Sequence, residues 1–405
     1  MSKKMRILRI LIVFLLILFP FGEIFRFPLG NTVYLKPLDA VTVLLFFSTI
    51  IVYSQKRTFR NSFRWYFFLF PLIAFIALAV NSYWLRPNEL VVSSLYLLRW
   101  ISYMSIFFAV IQFDAVFKKK IVTFLLLDGL VILLIGYVQY FWYPNLRNLY
   151  YLGWDEHLYR MFSSFFDPNF LGAFFVLYLL FVLGLLFFNI QKFSRKQVLF
   201  YSMLSLLTVI AIFLTYSRSA LIMLIVSGVI FFVLLQRKKF ILLLLGAILL
   251  FVIIISPFFY IANINLFRVT SSIARIQSAQ HTLQIIQDHP FIGVGFDSYR
   301  YAQIRYHFIK QHPQFPSHSG SGDDVSLLFV LATTGGAGLL AYCYLWFKLF
   351  RYARNQMKKN VFAIIFIASA SGLFIDAFFN NSLFYAEIMF WMWMITGLLF
   401  GGKDY

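Results

Sequence analysis

The chain has 405 residues, of which 61% are hydrophobic, 21% aromatic and 12% charged, against about 45–50% apolar and 25% charged in soluble proteins. Carried in long apolar runs with basic punctuation, this composition excludes disordered, collagen-like and disulfide-stapled classes and most soluble enzymes. It is that of a polytopic membrane protein, on which a net charge of +20 reflects the positive-inside rule rather than a nucleic-acid partner.

Met1 to Pro20 resembles a secretory signal, with Lys3, Lys4, Arg6 and Arg9 ahead of an apolar run. No small-x-small cleavage pattern follows, so it is expected to stay as a first span. Stretches of about 17–25 apolar residues then predict twelve spans, near 7–22, 38–54, 64–82, 90–111, 121–143, 168–189, 197–215, 218–235, 240–262, 324–347, 361–379 and 384–400. The fold class is therefore all-α, a single transmembrane domain over 1–405. With the N-terminus inside, 23 of the 35 Lys and Arg fall in cytoplasmic segments, which places both termini in the cytoplasm. All six histidines and most of the acidic residues fall on the other side, so any chemistry is expected to face outward. The single cysteine, Cys343, excludes an intrachain disulfide.

Two outward segments are long, 144–167 and 263–323, and the second is expected to form a lid over the membrane domain. Aromatic residues of 140–166, such as Trp142 and Trp154, suit either sugar stacking or an interfacial belt. Asp167-Pro168-Asn169 opens a span, where a cap is sufficient explanation, although Asp167 and Asn169 are also candidate substrate contacts. Within the spans, Arg99 and Asp128 are expected to pair.

The turn Thr215-Tyr216-Ser217-Arg218-Ser219-Ala220 leaves Arg218 between two spans, as an anion contact or as an ordinary interfacial arginine. From Ser271 to a stop at His289-Pro290, an amphipathic helix is expected, capped by serine. Its wheel gathers Ile273, Ile276, Ala279, Leu283 and Ile286 on one arc with Arg275 at the edge. Phe291-Ile292-Gly293-Val294-Gly295 lacks the strand and third glycine of a dinucleotide site and reads as a tight turn against the membrane domain. Tyr299 and Arg300 behind it are candidate glycan or phosphate contacts. In Pro316 to Asp324, His318 and the two aspartates stand before a span carrying Thr333-Thr334-Gly335-Gly336. His318, Asp323 or Asp324 is a candidate general base; for the aspartates the alternative is helix capping. No cluster of His and Cys suggests a metal, and no cofactor motif is present.

In order and sidedness, Ser217-Arg218-Ser219-Ala220, Arg275, His289-Pro290 leading into Gly293-Val294-Gly295, and the Gly335 to Gly338 span resemble the bacterial O-antigen ligase and polymerase superfamily, best over residues 160–340. The resemblance implies a GT-C-like, twelve-helix glycosyltransferase of the cytoplasmic membrane, working on the outer face without metal or nucleotide sugar. Its implied donor is a polyisoprenyl-diphosphate-linked oligosaccharide and its acceptor a glycan or lipid-linked sugar. Arg218 and Arg275 match the family arginines that hold the diphosphate, and Arg300 is a further candidate. The family histidine belongs at the register of Asp324, so the base stays open among His318, Asp324 and Asp323. A multi-span transporter of an anion or lipid-linked sugar is the competing class, and a non-catalytic scaffold for polysaccharide assembly is a third.

Overall fold

In the computed structural model, the described residues are 3–28, 34–54, 65–237, 239–243, 245–246, 249, 253, 269–309 and 323–401. Eleven of the twelve predicted spans are helices: α1 (Lys3–Leu18), α2 (Pro37–Ser54), α3 (Tyr66–Val80), α4 (Pro87–Val110), α5 (Ala115–Trp142), α6 (Pro168–Asn189), α7 (Arg195–Leu214), α8 (Arg218–Leu234), α11 (Ser326–Gln356), α12 (Val361–Asp376) and α13 (Ala386–Phe400). The twelfth, 240–262, falls largely outside the described residues. Between α8 and α11 come α9 (Val269–Asp288) and the short α10 (Tyr299–Arg305), and a two-residue ribbon pairs β1 (Phe27–Pro28) with β2 (Tyr34–Leu35). Six helices, α2, α4, α5, α6, α7 and α11, are long and apolar enough to cross a membrane; α3, α8, α12 and α13 are shorter apolar helices.

Local sequence sets the helix starts. Asp114 caps α5 through the amide of Phe117, Asp167 caps α6 with Pro168 in its first turn, Ser194 forms a capping box with Gln197, and Asn360 caps α12. Each satisfies amides that have no partner inside the helix. Toward its end α11 runs past the apolar stretch to Gln356, because Lys348, Arg351 and Arg354 leave the hydrocarbon without leaving the helical conformation.

α6 and α13 are apolar all round and buried on nearly every face, the pattern of central helices. The outer helices expose apolar faces, such as Leu44, Phe47 and Ile50 on α2 and Leu199 and Leu206 on α7, which suits contact with lipid. Alternating helix directions gather the ends into two groups. At the basic end Arg9 pairs with Asp114 at 2.7 Å and Lys118 donates to the carbonyl of Gly401. At the opposite, acidic end Lys36 lies between Glu23 and Glu387, 2.8 Å from the latter.

The expected pairing of Arg99 with Asp128 is not found. α4 packs on α2 and α13, while α5 packs on α1, α6 and α7, so the two side chains face different neighbours. Arg99 instead forks Asp39 of α2 at 2.8 and 2.5 Å, and Tyr103 donates to the same carboxylate at 2.8 Å. Asp128 is buried, with one carboxyl oxygen lacking a hydrogen-bond partner among the described residues.

Candidate functional site

The acidic end is organised around a break in α11. Thr333 and Thr334 turn their hydroxyls back onto the carbonyls of Phe329 and Val330, each at 2.7 Å, and Gly335 leaves the helical conformation at φ 65°, ψ −172°. The turn 290–295 fills the gap. Val294 and Gly295 donate to the carbonyls of Ala332 and Thr333 at 2.9 and 3.0 Å, and the carbonyls of Pro290 and Phe291 receive the amides of Gly336 and Ala337 at 2.8 and 3.4 Å. The carbonyls of Ala332 and Thr333 and the amides of Gly336 and Ala337 would otherwise be orphans at the break in the helix. Gly293 stands at φ +71°, and a side chain there would meet the backbone of Thr333 at 2.5 Å. The glycine motif is thus the tight turn against the membrane domain that its sequence suggested, and Asn81 at the end of α3 fastens it by donating to the Gly293 carbonyl at 3.1 Å.

That lock fixes α9, whose orientation differs from the wheel. Ile276 and Leu283 are 59% and 48% exposed, whereas Thr282 and Ile285 are buried and Arg275 shares their half of the helix. The reason is polar. Thr282 donates to the buried carboxylate of Asp323 and meets the Tyr299 hydroxyl at 2.5 Å, so the inward face is chosen by hydrogen bonding and not by apolar count. The helix is already formed at Val269, so Ser271 and Ser272 lie within it and not at its cap.

Asp323 receives Thr282, Tyr299 at 3.4 Å and the amide of Val325 at 2.6 Å. Burial raises its carboxyl above the ordinary range and these donors pull it back. It fastens the turn ahead of α11 to α9 and does not cap α11, whose cap residue Val325 has no side-chain cap hydrogen bond. Tyr299 is fully buried with its hydroxyl engaged here, so it supports Asp323 rather than facing a ligand. Asp324, next along, has a half-exposed side chain, with Oδ2 3.9 Å from Nε of Arg275. Burial holds its carboxyl above the ordinary range, Arg275 lowers it, and the nearby charges of Asp323 and Asp167 raise it.

Arg275 makes a second contact that the sequence did not suggest. Its Nη2 donates to Oδ1 of Asn380 at 3.3 Å, and the amide nitrogen of Asn380 donates to Oγ of Ser219 at 2.7 Å and to Asp376 at 3.1 Å. Ser382 closes the group by donating to Asp376. Ser219 follows Arg218, the half-buried first residue of α8, whose cap is Ser217. One chain of hydrogen bonds therefore joins α9 to the Ser217-Arg218-Ser219 turn. Arg160 braces that turn from the other side, donating from Nε to the Thr215 carbonyl at 2.9 Å and from Nη2 to Asn169 Oδ1 at 3.0 Å. Asp167 caps α6 by accepting from the amides of Asn169 and Phe170.

Arg218, Arg275, Asp324, Asp167 and Asn169 are thus brought to one end of the bundle. Arg300 belongs to a second group: with Arg99 it draws on Asp297, whose burial pushes its carboxyl well above the ordinary range. His318 lies outside the described residues. Asn380 and Asp376 are the functional candidates that motif reading did not connect; the signal available was the amide pair Asn380-Asn381 interrupting an apolar run.

Leu383, next to Ser382, lines a small apolar pocket inside the bundle together with Trp100, Tyr342, Trp346, Met389 and Trp393. The protein is a multi-pass helical membrane protein with an arginine-bearing polar site at one end of its bundle.

Residues 203–343, 141 of the 405, match the family model described as O-antigen ligase. That stretch, which runs from α7 through the glycine turn into α11, is similar to the O-antigen ligase family. No curated protein matches the chain.

Proposed function

We propose that the protein is a glycosyltransferase that transfers or polymerises oligosaccharides carried on a polyisoprenyl diphosphate, at the outer face of the cytoplasmic membrane, in a GT-C-like bundle completed to twelve spans by 240–262. The observation that carries this reading is the connection of Arg275 through Asn380 to the Arg218 turn, which brings two arginines of separate elements to one end of the bundle. Two fork-shaped cations match the oxygens of a diphosphate. The family match over 203–343 spans both arginines and Asp324.

In the reaction an acceptor hydroxyl attacks the anomeric carbon of the donor sugar. The bond to the diphosphate oxygen breaks, and the lipid diphosphate leaves with the electron pair. Arg218 and Arg275 stabilise the charge gained by the leaving group, as fixed donors do where negative charge develops. The acceptor proton passes to a base, for which Asp324 is the described candidate and His318 the other. Asp323 is committed to Thr282 and the Val325 amide and serves to hold the lid. No step uses a metal ion or cofactor.

The competing transporter reading has one feature in its favour, since discontinuous helices often line a carrier's substrate site. Here the carbonyls freed at the α11 break are taken up by the glycine turn, which favours a scaffold for the lid. Purified protein in nanodiscs, supplied with a lipid-linked oligosaccharide and an acceptor, is expected to release polyisoprenyl diphosphate and form a longer or transferred glycan. Movement of the intact donor between leaflets without product would favour the carrier.

A further inference from the structure

Asn380 is buried in the turn between α12 and α13, outside the stretch matched by the family model. A side-chain amide has two faces, and only one suits this site. Its nitrogen donates to Ser219 Oγ and Asp376 Oδ1, both able to accept, and that leaves Oδ1 as the face presented to Arg275 at 3.3 Å. Ser219 in turn bonds Asp376 and meets Ser217 Oγ at 3.1 Å, so the amide cannot flip without losing two acceptors.

We propose that Asn380 is a positioning residue, holding the guanidinium of Arg275 in register with the Ser217-Arg218-Ser219 turn so that two arginines from separate elements meet one diphosphate. The inference rests on the reading of Arg275 as a diphosphate ligand. An unheld arginine on a lid helix would sample several rotamers and pair with Asp324 alone; Asn380 supplies the second contact that restricts it. A neutral amide does this without competing for the cation, which a carboxylate at the same place would do.

The test is a double-mutant cycle on the full-length protein in nanodiscs, with undecaprenyl diphosphate as probe and lipid occupancy read by native mass spectrometry. Asn380→Ala is expected to weaken binding about tenfold or more, the scale of one hydrogen bond to a charged group. In an Arg275→Ala background the same change is expected to cost nothing further, because its effect acts through that guanidinium. Asn380→Asp, of equal size, is expected to weaken binding more than Ala by pairing with Arg275, and it carries the cycle if the Ala variant fails to fold. Equal losses with and without Arg275 would make Asn380 a structural residue only and overturn the proposal. Wild-type binding by Arg275→Ala would instead remove the reading on which it rests.

Discussion

Gly335→Ala examines the lock that fixes α9. At φ 65° and ψ −172° the backbone lies in a region essentially confined to glycine, which costs other residues about 1–3 kcal/mol. The added methyl would also fall on the backbone of Phe291 and Ile292, and backbone atoms cannot rotate out of the way. Moving that turn gives up the bonds from Gly336 to Pro290 and from Ala337 to Phe291, at about 0.5–1.5 kcal/mol each. Strain and lost bonds together come to about 2–6 kcal/mol. The neighbouring glycine supplies the control, because a methyl on Gly336 meets only the Pro290 carbonyl oxygen, at an ordinary 3.5 Å. Thermal unfolding of the two purified variants in the same lipid should show a marked loss for Gly335→Ala and a small one for Gly336→Ala. Indistinguishable midpoints would refute the argument that the glycine turn and the α11 break hold each other.

Three further outcomes follow from the same geometry. Lys36→Ala leaves Glu23 and Glu387 buried without their shared cation and should destabilise the bundle by about 3–5 kcal/mol, read as thermal unfolding; an unchanged midpoint would mean the carboxylates simply take up protons. If Asp324 is the base, turnover rises with pH as its carboxyl loses a proton, above the usual value near 3.9 because burial raises it. Arg275→Ala should shift that limb further up and Arg275→Lys should not, whereas a profile unaltered by Asp324→Asn would pass the role to His318. A cysteine at exposed Gln284, in a Cys343→Ser background, should react with an impermeant thiol reagent on intact cells; labelling only after lysis would invert the orientation.

The spans were legible because lipid demands long apolar runs, and eleven of them coincide with described helices. The glycine turn was legible too, since two glycines behind His289-Pro290 cannot continue a helix. Composition misled at α9: a hydrophobic wheel assumes that apolar residues face inward, but Thr282 faces Asp323 and leaves Ile276 and Leu283 outside. Arg99 was visible as a buried charge, yet its partner Asp39 depended on which helices pack together. Lys36 with Glu387, and Arg275 with Asn380, join residues far apart in the chain. Such pairings leave no local pattern to read.

The central claim is that Arg218 and Arg275 together hold the diphosphate of a lipid-linked donor while its glycan is transferred. Its most direct measurement is glycan product formed per folded protein in nanodiscs from a polyisoprenyl-diphosphate-linked oligosaccharide, for wild type, Arg218→Lys, Arg275→Lys and the double variant. Lysine keeps the charge and loses the fork, so if one donor accounts for about 2.7–4 kcal/mol each single change lowers turnover on the order of 10²–10³-fold, and the double change falls short of the product of the two. Wild-type turnover in both single variants, with the protein correctly folded, would contradict the account and leave the two arginines as ordinary residues of the membrane interface.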